Sequence, residues 1–524
     1  MLMFILALIP IIFLIIALMG LKWPGHKACP IALVITLLEA FFIWHESLPE
    51  VLLGAAEGFA MAIWPICLVI VAAVFTYNLV VHTKKMEIIK RILTSVSMDK
   101  RILVLIIAWG FGGFMEGMAG FGTAVAIPAG ILCGLGFNPV FAAIVCLVAN
   151  TTPVAFGSVG IPTVTAANVA GTDPNITAAM TVLQLAVMVI AVPFLVVQLT
   201  GRYCGGKGTA IFKGVGFITL MSGISFLIPQ FLTALFVGAE LPSVIGSVFC
   251  MAVTILLSRL LRKGKTSPFD MAEPEAADEK TRLTVREGIV AWSPFLLVLI
   301  LLLLTSSLVP VINGPLSAIK TSVLFYPGEG GAPYTFSWIA PGVVIFVAAF
   351  IGGLIQKCPI SEMFGVLGAT IRQMSKTIIT IMAVLAIAKV MGYSGMTSDI
   401  AAFIVAVTGG FYPLLAPLIG SIGTFVTGSA TSSSVLFAKL QYATASQIGL
   451  DPTWLVAANG IGSTAGKIIS PQSIAVATAA TDTVGQESKM LTGVIRYYLL
   501  FIIVYGLVAY AGALLNLPAL FASM

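Results

Sequence analysis

Apolar residues in this chain come in long unbroken runs, without the alternation of a half-buried strand or the one-sided stripe of a water-facing helix. The runs fall at about 2–20, 29–46, 51–81, 102–135, 138–165, 175–200, 214–236, 241–261, 288–313, 336–355, 364–392, 408–445, 452–481 and 490–515. Most approach 20 residues, the length at which an α-helix crosses the roughly 30 Å hydrocarbon core of a bilayer. Two runs, 102–135 and 408–445, are too long for one crossing and are interrupted near the middle by Gly, Ser and Thr. Each predicts a re-entrant hairpin, because irregular backbone at membrane depth persists only where protein or a water-filled cavity satisfies it. The pattern predicts an all-α polytopic membrane protein with twelve crossings and two hairpins. Met1 to Gly20 has no basic leader and no small-residue cleavage site, so it reads as the first span and not as a cleaved signal.

Composition narrows the class further. Only 9% of residues are charged, 59% are hydrophobic, and mean hydropathy is +1.09. Soluble enzymes, nucleic-acid binders and secreted disulfide scaffolds are excluded on that balance. The net charge of +6 looks like an affinity for anions until its distribution is followed. With the N-terminus outside, 20 of the 27 basic residues fall on inner segments and Lys320 alone on an outer one. The other six (Arg372, Lys376, Lys389, Lys439, Lys467 and Arg496) lie within apolar runs. That asymmetry is what the positive-inside rule expects. The hydrophilic stretch 262–287 becomes a solvated inner linker, and the basic arm Lys84–Arg101 an interfacial helix.

Seven scattered cysteines without a CxxC pair and three isolated histidines predict no metal, and no cofactor is called for. Gly201 to Lys207 fits GxxxxGK, but Gly208 follows where a phosphate-binding loop needs Ser or Thr. The energy source is therefore expected to be an ion gradient.

An internal repeat organises the spans. A shift of 313 residues lays Gly136-Phe-Asn-Pro139 on Gly449-Leu-Asp-Pro452, Thr151 on Thr464, Ile161 on Ile474, and Thr165-Ala-Ala167 on Thr478-Ala-Ala480. It also superposes the hairpins. The expected division is 1–200 as a first repeat, 201–287 as a connecting helix pair and inner loop, 288–515 as a second repeat, and 516–524 as a tail. Seven crossings separate equivalent points, so the second copy is inverted. Inverted repeats with broken elements at the midplane are a transporter architecture.

Four polar, helix-breaking segments sit at membrane depth in symmetric places: Glu116–Thr123, Asn150–Gly157, Thr427–Ser434 and Asn459–Ser473. Gly117, Gly120, Gly122, Pro153, Gly428, Gly466 and Pro471 stop the helices there. The half-helix N-termini so created offer free N–H groups to an anion. Asn150, Thr151, Thr152, Ser429, Thr431, Ser432, Ser470 and Gln472 add neutral hydrogen-bonding groups for a carboxylate and a hydroxyl. Small residues also serve plain helix packing, which accounts for one such segment better than for four. Lys467, about halfway along its run, needs a partner at depth: a substrate carboxylate first, a structural salt bridge or carbonyl cage otherwise. Glu116 is the leading proton carrier and Glu39 the competing one. A helix-capping or lysine-paired carboxylate is the other reading of Glu116. Glu57, Lys376, Lys389 and Lys439 are less informative, since each has the reach to snorkel towards an interface.

At these segments the chain resembles the lactate permease family. The resemblance rests on Phe114-Met-Glu-Gly-Met-Ala-Gly-Phe-Gly122, Leu135-Gly-Phe-Asn-Pro139, Ala149-Asn-Thr-Thr-Pro-Val-Ala-Phe-Gly157, Leu440-Gln441, Gly466-Lys-Ile-Ile-Ser-Pro-Gln-Ser473 and Gly485-Gln-Glu487. It implies an inner-membrane proton symporter for L-lactate, D-lactate or glycolate. It also implies a wider ion-transporter group with scaffold and transport domains, elevator-type movement and frequent homodimers. On matching positions it points to Glu116, Asn150, Thr151, Lys467, Ser470 and Gln472. Ala430 and Ser434 depart from it, standing where the family usually has an acidic residue and an asparagine. Two rival readings remain: a sodium-coupled carrier of a related carboxylate or sulfonated hydroxy acid, with Na⁺ among Asn150–Thr152 and Ser463–Thr464, and a non-transporting membrane subunit.

Overall fold

The computed structural model describes residues 2–21, 23–120, 122–262, 266–271, 284–306, 308–328, 331, 333–483 and 485–521. Lys22, Lys263, Lys265, Lys280 and Arg282, with most of the predicted linker, lie outside the described residues.

Apolar sequence in lipid satisfies its own peptide groups by coiling, and the chain is predominantly helical accordingly. Leaving aside the short helix Pro310–Ser317 and the 3-10 turns, the helices in order are α1 (Leu2–Leu18), α2 (Gly25–Phe42), α3 (Leu48–His82), α4 (Lys85–Thr94), α5 (Lys100–Met118), α6 (Thr123–Gly134) and α7 (Pro139–Ala149). They continue as α8 (Gly157–Ala170), α9 (Pro174–Tyr203), α10 (Gly216–Phe236), α11 (Pro242–Arg262), α12 (Val285–Thr305), α13 (Pro341–Ile355) and α14 (Ile360–Tyr393). The last six are α15 (Met396–Thr408), α16 (Tyr412–Thr427), α17 (Ala430–Gln447), α18 (Pro452–Ile469), α19 (Pro471–Ala480) and α20 (Glu487–Leu514). Among the described residues, 11 helical stretches are long and apolar enough to cross a membrane. Large apolar side chains such as Phe42, Leu260, Val285 and Ile503 stand exposed, as lipid-facing residues do.

Helix starts follow local chemistry. Asn138, Asp173 and Asp451 each cap a helix whose first residue is proline, where the missing N–H has no intrahelical use. Ser47 with Glu50 and Thr284 with Glu287 close reciprocal capping boxes. The two predicted hairpins are helix–turn–helix pairs whose arms pack together, α5 with α6 and α16 with α17. They turn at Gly120 and Gly122 in one case and at Gly428 in the other, all with positive φ. Close packing needs glycine elsewhere too. A side chain at Gly462 or Gly466 would run into the backbone of Pro417 or Ser421, so these two positions let α18 lie directly on α16.

Helices α2, α3, α12, α13 and α14 pack together; α5–α9 and α16–α20 gather around the two hairpins. Arm α17 lies between them, against α14 and α15 on one side and α8 and α18 on the other.

One helix is added and two expectations need correction. Met396–Thr408, almost wholly between the runs 364–392 and 408–445, is a helix, tied to α2 by a Trp44 Nε1–H to Asp399 Oδ2 hydrogen bond of 2.9 Å. An antiparallel ribbon, β1 (Lys320–Val323) with β2 (Tyr334–Ser337), adds strand to the all-α reading. The described part of the linker is not free in solvent. The Lys100 and Met271 amides donate to the Phe269 and Met98 carbonyls, and Asp99 holds both Arg101 (2.7 Å) and Arg262 (3.0 Å). A buried carboxylate needs such cations, which draws this loop onto the start of α5.

The apolar runs hid one ion pair. Glu57 of α3, which is buried, and Lys389 of α14, which is mostly so, do not snorkel: they are 2.7 Å apart, and Tyr393 donates its hydroxyl to the other Glu57 oxygen at 2.8 Å. Lys439 likewise does not reach outwards: its stem lies along Gly392, and its ammonium sits 5.9 Å from the Tyr442 ring centre. Removing one member of a buried pair strands the other charge. Glu57→Gln is therefore expected to lower stability by about 3–5 kcal/mol, and Glu57→Gln with Lys389→Met to recover most of that loss. Thermal unfolding in detergent reads both; equal Tm values for wild type and the single variant would contradict the pairing.

Candidate functional site

Three chain breaks bring three side chains to one point. The first hairpin turn places Glu116 near the end of α5, the residues after α7 place Asn150, and the last turn of α18 places Lys467. Lys467 Nζ is 2.8 Å from Glu116 Oε1, and Asn150 Nδ2 donates to Glu116 Oε2 at 3.0 Å. Glu116 is 2% exposed, so these contacts stand in for water around its carboxylate. The arrangement is tight: a side chain at Gly157 would meet Glu116 Oε1 at 2.6 Å. Lys467 also sits where a cation suits the carbonyl end of a helix, and Pro471 ends that helix.

Glu116 and Lys467 form part of the wall of a cavity of about 770 Å³. Two helix N-termini contribute to the same wall. That of α17 presents Ser429, Ala430, Thr431 and Ser432; that of α19 presents Pro471, Gln472 and Ser473. Ser429 Oγ accepts the Ser432 amide and Ser470 Oγ the Ser473 amide, so both starts are held by their caps. The Ser432 hydroxyl is buried without a hydrogen-bond partner. A wall that combines the Lys467 and Lys376 ammonium groups with two helix N-termini suits an anion.

The cavity brings together Glu116, Gly122, Gly428, Ser429, Thr431, Ser432, Lys467, Pro471 and Gln472 of the residues expected from sequence. Others stand behind the wall. Thr151 donates to the Val148 carbonyl at 2.9 Å, while Asn150 Oδ1 and Thr152 Oγ1 are buried without partners. Asn150, Thr151, Thr464, Lys467 and Ser473 border a hollow of about 10 Å³, roughly the least that holds a water. Gly117 packs on Val244, the Pro153 carbonyl accepts from Ser243, and Gly466 packs on α16. Glu39 is on α2, buried and away from the cavity, with Oε2 unpaired.

Sequence reasoning missed the opposite wall. Trp23 and His26 before and within the first turn of α2, and Lys376, Thr377 and Thr380 on α14, complete the cavity. No polar break marks these positions; Lys376 is exposed on the cavity wall.

With that geometry in place, likeness to known proteins decides the family. A family model described as L-lactate permease matches residues 3–516. The chain belongs to the lactate permease family. Within it, the L-lactate permease of Streptococcus iniae is 48% identical over 86% of this chain and 93% of that protein. The glycolate permease GlcA of Escherichia coli (strain K12) is 36% identical, covering 96% of this chain and 94% of its own. The L-lactate permease of the same strain is also 36% identical with the same coverage. Members of the family are permeases, so the chain is a multi-span membrane transporter and not an enzyme. Among solved structures, the Alcanivorax borkumensis YdaH transporter is matched at 12% identity with a TM-score of 0.43, over 85% of this chain and 84% of that one.

Proposed function

We propose that this permease carries a small 2-hydroxy monocarboxylate, such as L-lactate, D-lactate or glycolate, inwards across the cytoplasmic membrane together with a proton. The observation that carries the reading is the buried Glu116–Lys467 pair on the wall of a cavity faced by two helix N-termini. Empty, the Glu116–Lys467 pair is neutral: one carboxylate and one ammonium. A substrate carboxylate that engages Lys467 and the N-termini of α17 and α19 brings a second negative charge. Leaving that charge uncompensated at membrane depth is costly, and a proton taken up by Glu116 removes it. Loaded and empty states are then both neutral, so substrate and proton travel together. In this reading the Ser432 hydroxyl, buried without a partner, turns to bond the 2-hydroxyl group.

The architecture supports movement of one unit against another. Asn138-Pro139 and Asp451-Pro452, 313 residues apart, start α7 and α18 with the same capped proline, in keeping with an inverted repeat. In an elevator-type cycle α2, α3 and α12–α14 form the scaffold, and the hairpins with the broken helices move. With the N-terminus outside, Trp23 and His26 belong to the inner face, so the cavity reaches the inner side.

Sodium coupling is the rival. The unpaired Asn150 Oδ1 and Thr152 Oγ1 are oxygen ligands, but Lys467 borders the same small hollow and repels a cation there. The Ser463 and Thr464 hydroxyls already donate within the protein. The experiment is uptake by proteoliposomes of lactate, glycolate, pyruvate and succinate, with and without a pH gradient and with sodium omitted. Gradient-driven accumulation of lactate and glycolate without sodium is expected; uptake that requires sodium would overturn the proton reading.

A further inference from the structure

Away from the cavity, at the end of the α2, α3 and α12–α14 group where α3 meets the turn between α13 and α14, three metal-ligating side chains of different kinds converge. His82 is in the last turn of α3, Cys358 in the α13–α14 turn, and Glu362 in the first turn of α14. One ligand atom from each, an imidazole nitrogen, the Cys358 sulfur and a Glu362 carboxylate oxygen, lie within 4.8 Å of one another. No other such group of three occurs among the described residues.

The backbone fixes this arrangement. Lys357 adopts a left-handed conformation (φ 63°), and the Cys358 amide donates back to the Gly353 carbonyl at 2.9 Å. Pro359 then starts α14, which sets Glu362 one helical turn beyond Cys358. Behind the thiol, Phe75, Leu79, Ala349 and Met363 form a packed apolar cluster that joins α3 to α13 and α14. On the solvent side His82 and Glu362 have freedom to move, being 45% and 53% exposed, and His82 Nε2 already sits 2.9 Å from Glu362 Oε2. A surface histidine–carboxylate pair is common. A thiol held by a fixed turn at the base of that pair is what adds a soft ligand.

We propose that His82, Cys358 and Glu362 form a binding site for a borderline divalent cation, Zn²⁺ above all. Nitrogen, sulfur and oxygen ligands at about 2.0–2.3 Å are the set Zn²⁺ accepts in a tetrahedron. Closing from the present spacing of at most 4.8 Å falls to the two exposed side chains, since the turn holds the thiol. Three protein ligands leave a fourth position for water, so the ion exchanges with solvent. Bound, it ties the end of α3 to the start of α14. Ca²⁺ and Mg²⁺, which take oxygen ligands in higher number, fit poorly.

The test uses the full-length protein in detergent, titrated with Co²⁺ as a spectroscopic stand-in for Zn²⁺. A near-ultraviolet thiolate-to-cobalt band is expected to saturate at one equivalent and to disappear when Zn²⁺ is added. Cys358→Ser should abolish the band, while Cys204→Ser, at a half-buried thiol elsewhere, should leave it intact. His82→Ala and Glu362→Gln, both at exposed side chains, should each weaken binding at least tenfold, and they serve if Cys358→Ser does not elute as a single folded species. Absence of the band, a band that survives Cys358→Ser, or unchanged affinity in both exposed variants would overturn the proposal.

Discussion

Lys467→Met is expected to abolish lactate accumulation. Among the described residues the ammonium is the one full positive charge that touches Glu116, and a charge-assisted hydrogen bond to a carboxylate is worth about 1.5–3 kcal/mol. Apparent affinity for lactate should therefore fall by about 10- to 100-fold. The change also strands Glu116, which is 2% exposed and keeps only the Asn150 amide as partner, so stability should drop as well. A double variant separates the two effects. Lys467→Met with Glu116→Gln restores a neutral site, and its Tm should return towards wild type while binding stays lost. Binding measured by substrate-induced thermal shift checks this. If the double variant regains wild-type affinity, Lys467 is a structural cation and not the substrate's partner.

Glu116→Gln should separate transport from coupling. The amide keeps the shape of the carboxylate, its oxygen still accepts from Lys467, and its nitrogen can donate to the Asn150 Oδ1 that now lacks a partner once the Asn150 amide turns over. The loaded site remains neutral without a proton, so exchange of external for internal lactate should continue. The empty site carries an uncompensated ammonium, which disfavours its return across the membrane. Net uptake should fall by 100-fold or more while exchange stays within about tenfold of wild type, since the two modes differ only in the empty-carrier step. Parallel loss of both modes would make Glu116 a structural group.

How much of this was legible in the sequence depends on the range of the interaction. Helical spans are written locally, since a bilayer demands about 20 apolar residues in a row. Hairpin turns are local as well, because Gly120, Gly122 and Gly428 adopt positive φ that other residues resist. The helix starts at Pro139, Pro174 and Pro452 are set locally too, by the Asn or Asp that caps each one. Pairing is different. Glu116 and Lys467 are 351 residues apart, and Glu57 and Lys389 are 332 apart. Nothing in a run of apolar residues states which distant charge will meet which, so the sequence shows each of the four charges singly, and Glu57 and Lys389 look like side chains that can snorkel. The Lys376–Thr380 wall was invisible because it lies on an unbroken helix that carries no local sign of facing a cavity. Helix α15 was missed because its 13 residues are too few to span a membrane.

In the proposed cycle a proton moves with each substrate carboxylate because Glu116 and Lys467 must stay neutral together. Its most direct test needs no imposed gradient. Lactate is added to lightly buffered, sodium-free proteoliposomes and the external pH is followed. Wild-type protein should alkalinise the medium in step with lactate entry, and Glu116→Gln should give no pH change while still exchanging labelled lactate. Alkalinisation that persists in Glu116→Gln, or lactate entry by the wild type with no pH change, would contradict the account.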